Sequence, residues 1–104
     1  MDNNYLKYKY IKSLVSKLFK ILYIKEQQPE TLFSYVDSLR IELIGAQQSF
    51  DDLQNNPRFQ SVINIINYFC VNEDLEHKII KREVFKCIDL VNKIQAEGGD
   101  NGNI

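Results

Sequence analysis

Residues 32–53, LFSYVDSLRIELIGAQQSFDDL, place an apolar side chain at Leu32, Val36, Leu39, Leu43, Ala46, Phe50 and Leu53, in alternating steps of four and three. Side chains three and four positions apart lie on one face of an α-helix, so this spacing predicts a helix with a single straight seam. A seam that repeats every 3.5 residues keeps its register only when two helices cross at a shallow angle of about 20°, the packing of helical bundles and coiled coils. The chain therefore reads as all-α.

Working outward, two prolines bracket this helix. Pro29 and Pro57 lack a backbone donor and restrict the residue before them, so each fits the first turn of a new helix. Asn72 followed by Glu73 and Asp74 reads as a cap with an acidic first turn at the positive end of a helix dipole. Four helices result, over about residues 4–26, 30–55, 57–71 and 73–96. In the first, Ile11, Leu14, Val15, Leu18, Ile21 and Leu22 cluster opposite Lys9, Lys12, Ser13, Ser16, Lys17 and Lys20, while Tyr8, Tyr10 and Phe19 widen both flanks. The third is apolar at Phe59, Val62, Ile63, Ile66, Phe69 and Cys70. Its β-branched residues make a strand the competing reading, but helical spacing and the Asn56-Pro57 start favour a helix. Ile80, Val84, Cys87, Val91 and Ile94 repeat the seam in the fourth.

Gly45, in the middle of the second helix, reads either as a tolerated defect or as a point of close backbone approach. The closing EGGDNGNI has no periodicity and reads as disordered. With 104 residues, 44% of them hydrophobic, the chain is large enough for one core. The expected architecture is a single helical domain over residues 1–97, an antiparallel four-helix bundle with short connections, and a disordered tail over 98–104.

Catalytic chemistry finds little material. The chain has one histidine, no tryptophan and no glycine-rich loop before a helix, which leaves neither a hydrolase triad nor a dinucleotide site. Glu73 and Asp74 lie near His77, but a di-iron bundle needs a second histidine. No enzyme activity, cofactor or metal is expected. His77, in phase with the last seam, reads as a half-exposed ring capping the core, the alternative being a pH-sensitive group. Cys70 and Cys87 fall inside apolar runs and read as buried reduced thiols, a Cys70–Cys87 bridge being the alternative. Lys7, Lys9, Lys12, Lys17 and Lys20 interrupt the segment from Tyr5 to Ile24 too often for a membrane span, and the order of a secretory signal is missing. A cytoplasmic location is expected.

Charge is more informative than any motif. Residues 1–25 hold six lysines against Asp2, a net of +5, and residues 26–76 hold nine acids against Arg40 and Arg58, a net of −7. Either the first helix lies against the acidic second one, the favoured reading, or the asymmetry is the footprint of an external partner. The candidate partner-binding residues are Lys9, Lys12, Lys17 and Lys20, with Tyr5 and Tyr23 beside them. The function expected is a non-enzymatic protein–protein interaction module: an adaptor, a regulator or a small subunit of a complex. A homodimer is one form of it, because the third helix is too short to cover the whole seam of the second, which leaves the remainder to a second copy or to the first helix. Nucleic acid is disfavoured as partner by a face with lysine but no arginine and by a pI of about 5.8. Peripheral membrane contact competes with the core for the same apolar arc.

The layout of a lysine-rich first helix, a long heptad-like second helix, two further helices and a loose tail resembles the small cytoplasmic immunity proteins that shield bacteria from their own class II bacteriocins. The resemblance implies an antiparallel four-helix bundle that works at the membrane face by protein contact. It covers the helical layout and carries over no residue-level motif.

Overall fold

The computed structural model describes the backbone of residues 3–102 and the side chains of residues 5–97. Five α-helices, α1 (Asn3–Gln27), α2 (Leu32–Ser49), α3 (Asp51–Gln54), α4 (Pro57–Val71) and α5 (His77–Gly102), pack into a rod of 45 × 22 × 21 Å, and the described residues contain no strand. The all-α expectation therefore holds. Helices α1 and α5 are the most extensively packed pair, α4 lies against both α2 and α5, and α1 meets α2 along a looser seam. Glu26 near the end of α1 lies beside His77 at the start of α5, and Gln47 of α2 donates to Gln60 of α4 at 2.8 Å.

The seam behaves as its spacing predicts. Val36, Leu39, Leu43, Ala46 and Leu53 are buried, and Leu32 and Phe50 are half-buried against the same core. Facing them are Ile11, Leu14, Leu18 and Ile21 of α1, Phe59, Val62 and Ile66 of α4, and Val84, Cys87 and Val91 of α5. No polar or charged side chain is buried among the described residues, so the core has no internal polar group to satisfy. The seam of α2 is thus closed within one chain, which removes the reason for invoking a second copy to cover it.

Three expectations are corrected. The helix foreseen over 30–55 starts with a 3₁₀ turn at Pro29–Thr31 and breaks at Phe50, whose backbone is extended at φ −111, ψ 111. Chain reversal is the reason: α4 must return alongside α2, and α3, with Asp51 and Asp52 in its first turn, makes the corner while delivering Leu53 to the core. Asn72 caps the end of α4 and not the start of the next helix, its Nδ2 donating to the Tyr68 carbonyl at 2.9 Å. The last helix starts at His77 and not at 73; the Glu76 carbonyl accepts from the Ile79 and Ile80 amides at 3.1 Å each, and residues 72–76 form the crossing from α4 to α5. Of the two readings of Gly45, the tolerated defect fits, since a Cβ placed there meets nothing within 4 Å.

The start of α4 is as foreseen: Asn56 Oδ1 accepts from the Arg58 and Phe59 amides at 2.9 and 3.1 Å, with Pro57 in the first turn. At the C-terminus helical backbone continues to Gly102, past the point where the tail was expected to begin. The side chains beyond Glu97, and Asn103 and Ile104 altogether, lie outside the described residues, and so does that part of the tail expectation.

Candidate docking face on α1 and α5

Charge is uneven among the elements. By sequence, α1 carries six lysines against Glu26, a net of +5, and α5 carries five cations against four acids, a net of +1. The chain between them, residues 28–76, holds eight acids against Arg40 and Arg58, a net of −6. Helices α2 and α4 together are neutral, and six of those acids, Glu30, Asp51, Asp52, Glu73, Asp74 and Glu76, lie in the segments that connect the longer helices, so the basic surface is that of α1.

Part of this charge is neutralised where the helices meet. Lys7 pairs with Asp52 and Lys17 with Glu42, each at 2.9 Å, and Arg58 pairs with Glu97. Glu42 also accepts from the Tyr10 hydroxyl at 3.0 Å, and the Tyr35 hydroxyl donates to the Lys17 carbonyl at 2.8 Å. Both phenols are held above their ordinary pKa, first by burial and then by the Glu42 charge. These contacts bind α1 to α2 and α3 and consume Lys17.

Four of the other predicted residues remain on the outward side. Lys9 and Lys12 are exposed, the Lys9 ammonium 5.4 Å above the centre of the Tyr5 ring, and Tyr5 and Tyr23 are at least half exposed. Lys20 is exposed too, but its ammonium leans toward α2, 5.5 Å above the centre of the Tyr35 ring, and it lines the groove between the two helices. At about 100° per residue, Lys9, Lys12, Lys20, Tyr5 and Tyr23 fall within an arc of roughly 80°, with Lys20 at the edge nearest α2 and Lys17 beyond it. The structure thus keeps Lys9, Lys12, Tyr5 and Tyr23 together, sets Lys20 at the margin and turns Lys17 inward.

Sequence reasoning missed the rest of this face. Tyr8 and Phe19 are exposed on its edge, and Phe19 meets Phe85 of α5 edge to face with ring centres 5.8 Å apart. Lys78 and Lys81, also exposed, share one face of α5 with Phe85 at spacings of three and four. The arc on α1 was legible as a helical stripe; the α5 residues join it only through packing. No acid interrupts α1 between Tyr5 and Lys25.

Clefts open among the described residues. One of about 220 Å³ at the end of the rod has Ile21, Val36, Phe69 and Ile80 in its wall and Lys25 and Glu30 at its rim. A shallow groove of about 390 Å³ follows the loose seam between α1 and α2, past Lys17, Lys20, Tyr35 and Glu42. A third flanks the 72–75 turn beside Cys70 and Val71. None assembles a nucleophile with a base. His77 is half-buried, its Nε2 3.9 Å from Glu26, and no group of three potential metal donors occurs among the described residues. Cys70 and Cys87 are both free. Burial pushes the Cys87 thiol up to about 12, with Glu83 adding to it; burial also raises Cys70, against the opposing charge of Arg40.

No helix among the described residues is long and apolar enough to cross a membrane. Comparison with protein-family models, with curated proteins and with solved structures finds no significant match to this chain.

Proposed function

We propose that this chain is a small non-enzymatic interaction module, an adaptor, regulator or small subunit of a complex, built as an antiparallel four-helix bundle and docking a negatively charged counterpart through the outward face of α1. The observation that carries the reading is the acid-free row of Lys9, Lys12 and Lys20 with Tyr5 and Tyr23 on one exposed arc. Residues that close internal ion pairs, Lys7 and Lys17, stand apart from it. Tyrosine beside lysine supplies contact area together with long-range attraction, the two requirements of a docking surface. A protein counterpart is the first form of this reading, and nothing in it needs catalysis, a metal or a cofactor.

The test is fractionation of extracts from cells producing the chain at native level. Wild type is expected in an assembly much larger than its own 12.2 kDa. The Lys9→Glu, Lys12→Glu, Lys20→Glu variant, with unchanged helical circular dichroism, is expected to fractionate as the free chain. Identical fractionation of the two overturns the proposal.

A further inference from the structure

We propose that the platform formed jointly by α1 and α5 seats on the headgroup region of an anionic lipid bilayer, with Tyr8, Phe19, Tyr23 and Phe85 entering the interface and Lys9, Lys12, Lys78 and Lys81 meeting lipid phosphates. The inference rests on the reading of the α1 face as a docking surface and names its counterpart.

The sequence objection to a membrane contact is that one apolar arc cannot serve both core and lipid. The fold removes it. The core takes Ile11, Leu14, Leu18 and Ile21, while Tyr8, Phe19 and Tyr23 stand on a separate stripe, each more than two fifths exposed. From Tyr5 to Tyr23 this stripe runs about 27 Å along a helix axis, in the long direction of the rod, so its side chains can reach a flat surface together. Phe85 packs on Phe19 and widens the line into a two-helix platform. Aromatic rings with amphipathic edges and lysines whose stems lie on apolar surface are the composition of interfacial contacts.

Charge selects an anionic surface. The net of +5 on α1, extended by Lys78 and Lys81 of α5, attracts the platform to lipid phosphates, whereas the α2 and α4 side is neutral by sequence and offers no such attraction. Shape then favours lipid over the macromolecular alternatives. Protein hot spots fill pockets, and none of Tyr8, Phe19, Tyr23 and Phe85 lines any of the clefts described above. Nucleic-acid readers use bidentate arginine or a grooved stacking surface, whereas the platform offers lysines on two convex helices, and Arg82 of α5 is tied to Glu83 at 3.0 Å.

The experiment uses the purified full chain and vesicles of phosphatidylcholine, with or without about one third phosphatidylglycerol. The chain is expected to cosediment with the mixed vesicles at low salt, to be released as salt rises, and to ignore phosphatidylcholine alone. Each lysine near the surface multiplies affinity about fivefold, so Lys9→Glu, Lys12→Glu, Lys78→Glu, Lys81→Glu together should cut partitioning by more than about a hundredfold. The chain has no tryptophan, so Tyr23→Trp supplies a single fluorescent reporter, expected to shift to the blue on anionic vesicles, whereas Ile41→Trp on α2, off the platform, should not. Absence of cosedimentation and of the Tyr23→Trp shift at low salt overturns the inference, as does equal binding by the charge-reversed variant. If vesicle binding fails while the lysine-dependent assembly in extracts persists, the docking face stands and its counterpart is a protein or a nucleic acid.

Discussion

At Gly45 the helix gives up stability for no contact in return. The position is exposed, its φ is not positive, and an added methyl group meets nothing within 4 Å. Gly45→Ala should stabilise the protein by up to about 1 kcal/mol in urea unfolding, through helix propensity and a smaller unfolded-state entropy. Leu43, fully buried two residues away, sets the opposite case: Leu43→Ala should cost about 2–5 kcal/mol, the upper end if the neighbours cannot close the cavity. Cys87 links stability to alkaline pH. Its thiol is raised to about 12 in the folded chain from an ordinary 9.0, so the unfolded chain ionises first. This contribution is intact below pH 9 and is lost as pH rises toward 12. Unfolding midpoints should fall across that window, and less steeply for Cys87→Val. A thiol reagent added to the native protein should label half-buried Cys70 well before Cys87.

Element boundaries were the least legible feature. The spacing of Phe50 and Leu53 fits an unbroken seam, and a sequence pattern cannot distinguish a straight helix from one that breaks at Phe50 and resumes in α3 with Leu53 still inward. What decides is the need to reverse direction before α4, a requirement of packing. Asn72 failed for a related reason. Asparagine suits either end of a helix, and in this fold its amide closes the last turn of α4 while Glu76 starts α5. Asn56, by contrast, sits directly before Pro57, which admits only a helix start, and the expectation held. Asn56→Ala should lose about 1 kcal/mol of stability in thermal or urea unfolding by freeing the Arg58 and Phe59 amides, whereas Asn72→Ala, at an exposed end, should cost less.

For the whole molecule the decisive fact is which helices are neighbours. Packing of α1 on α5 brings the basic first helix beside Lys78 and Lys81 on one side, while α2 with α4 makes a side that is neutral by sequence, most acids of the intervening chain lying in the connecting segments. The ion pairs between these sides are exposed or partly so, and such pairs are worth about 0–1 kcal/mol each. Lys17→Met should therefore change stability by less than about 1 kcal/mol and leave the docking face intact, while Lys12→Glu should leave stability equally unaffected and weaken docking. Equal effects of the two substitutions on assembly in extracts would contradict the separation of internal from outward lysines.

The sequence by itself determined the helices, their buried faces and the basic stripe on α1, because each is a periodic property of one segment: apolar residues at helical spacing must turn inward together, and the lysines between them must turn out. It could not determine that Lys17 belongs to Glu42, that the long helix breaks at Phe50, or that Phe85, Lys78 and Lys81 extend the aromatic face of a helix whose Phe19 precedes Phe85 by 66 residues. Those are relations between segments. They were decided only by the tertiary packing of α1 on α5 and α2 on α4, since burying every apolar seam at once fixes which side chains become neighbours.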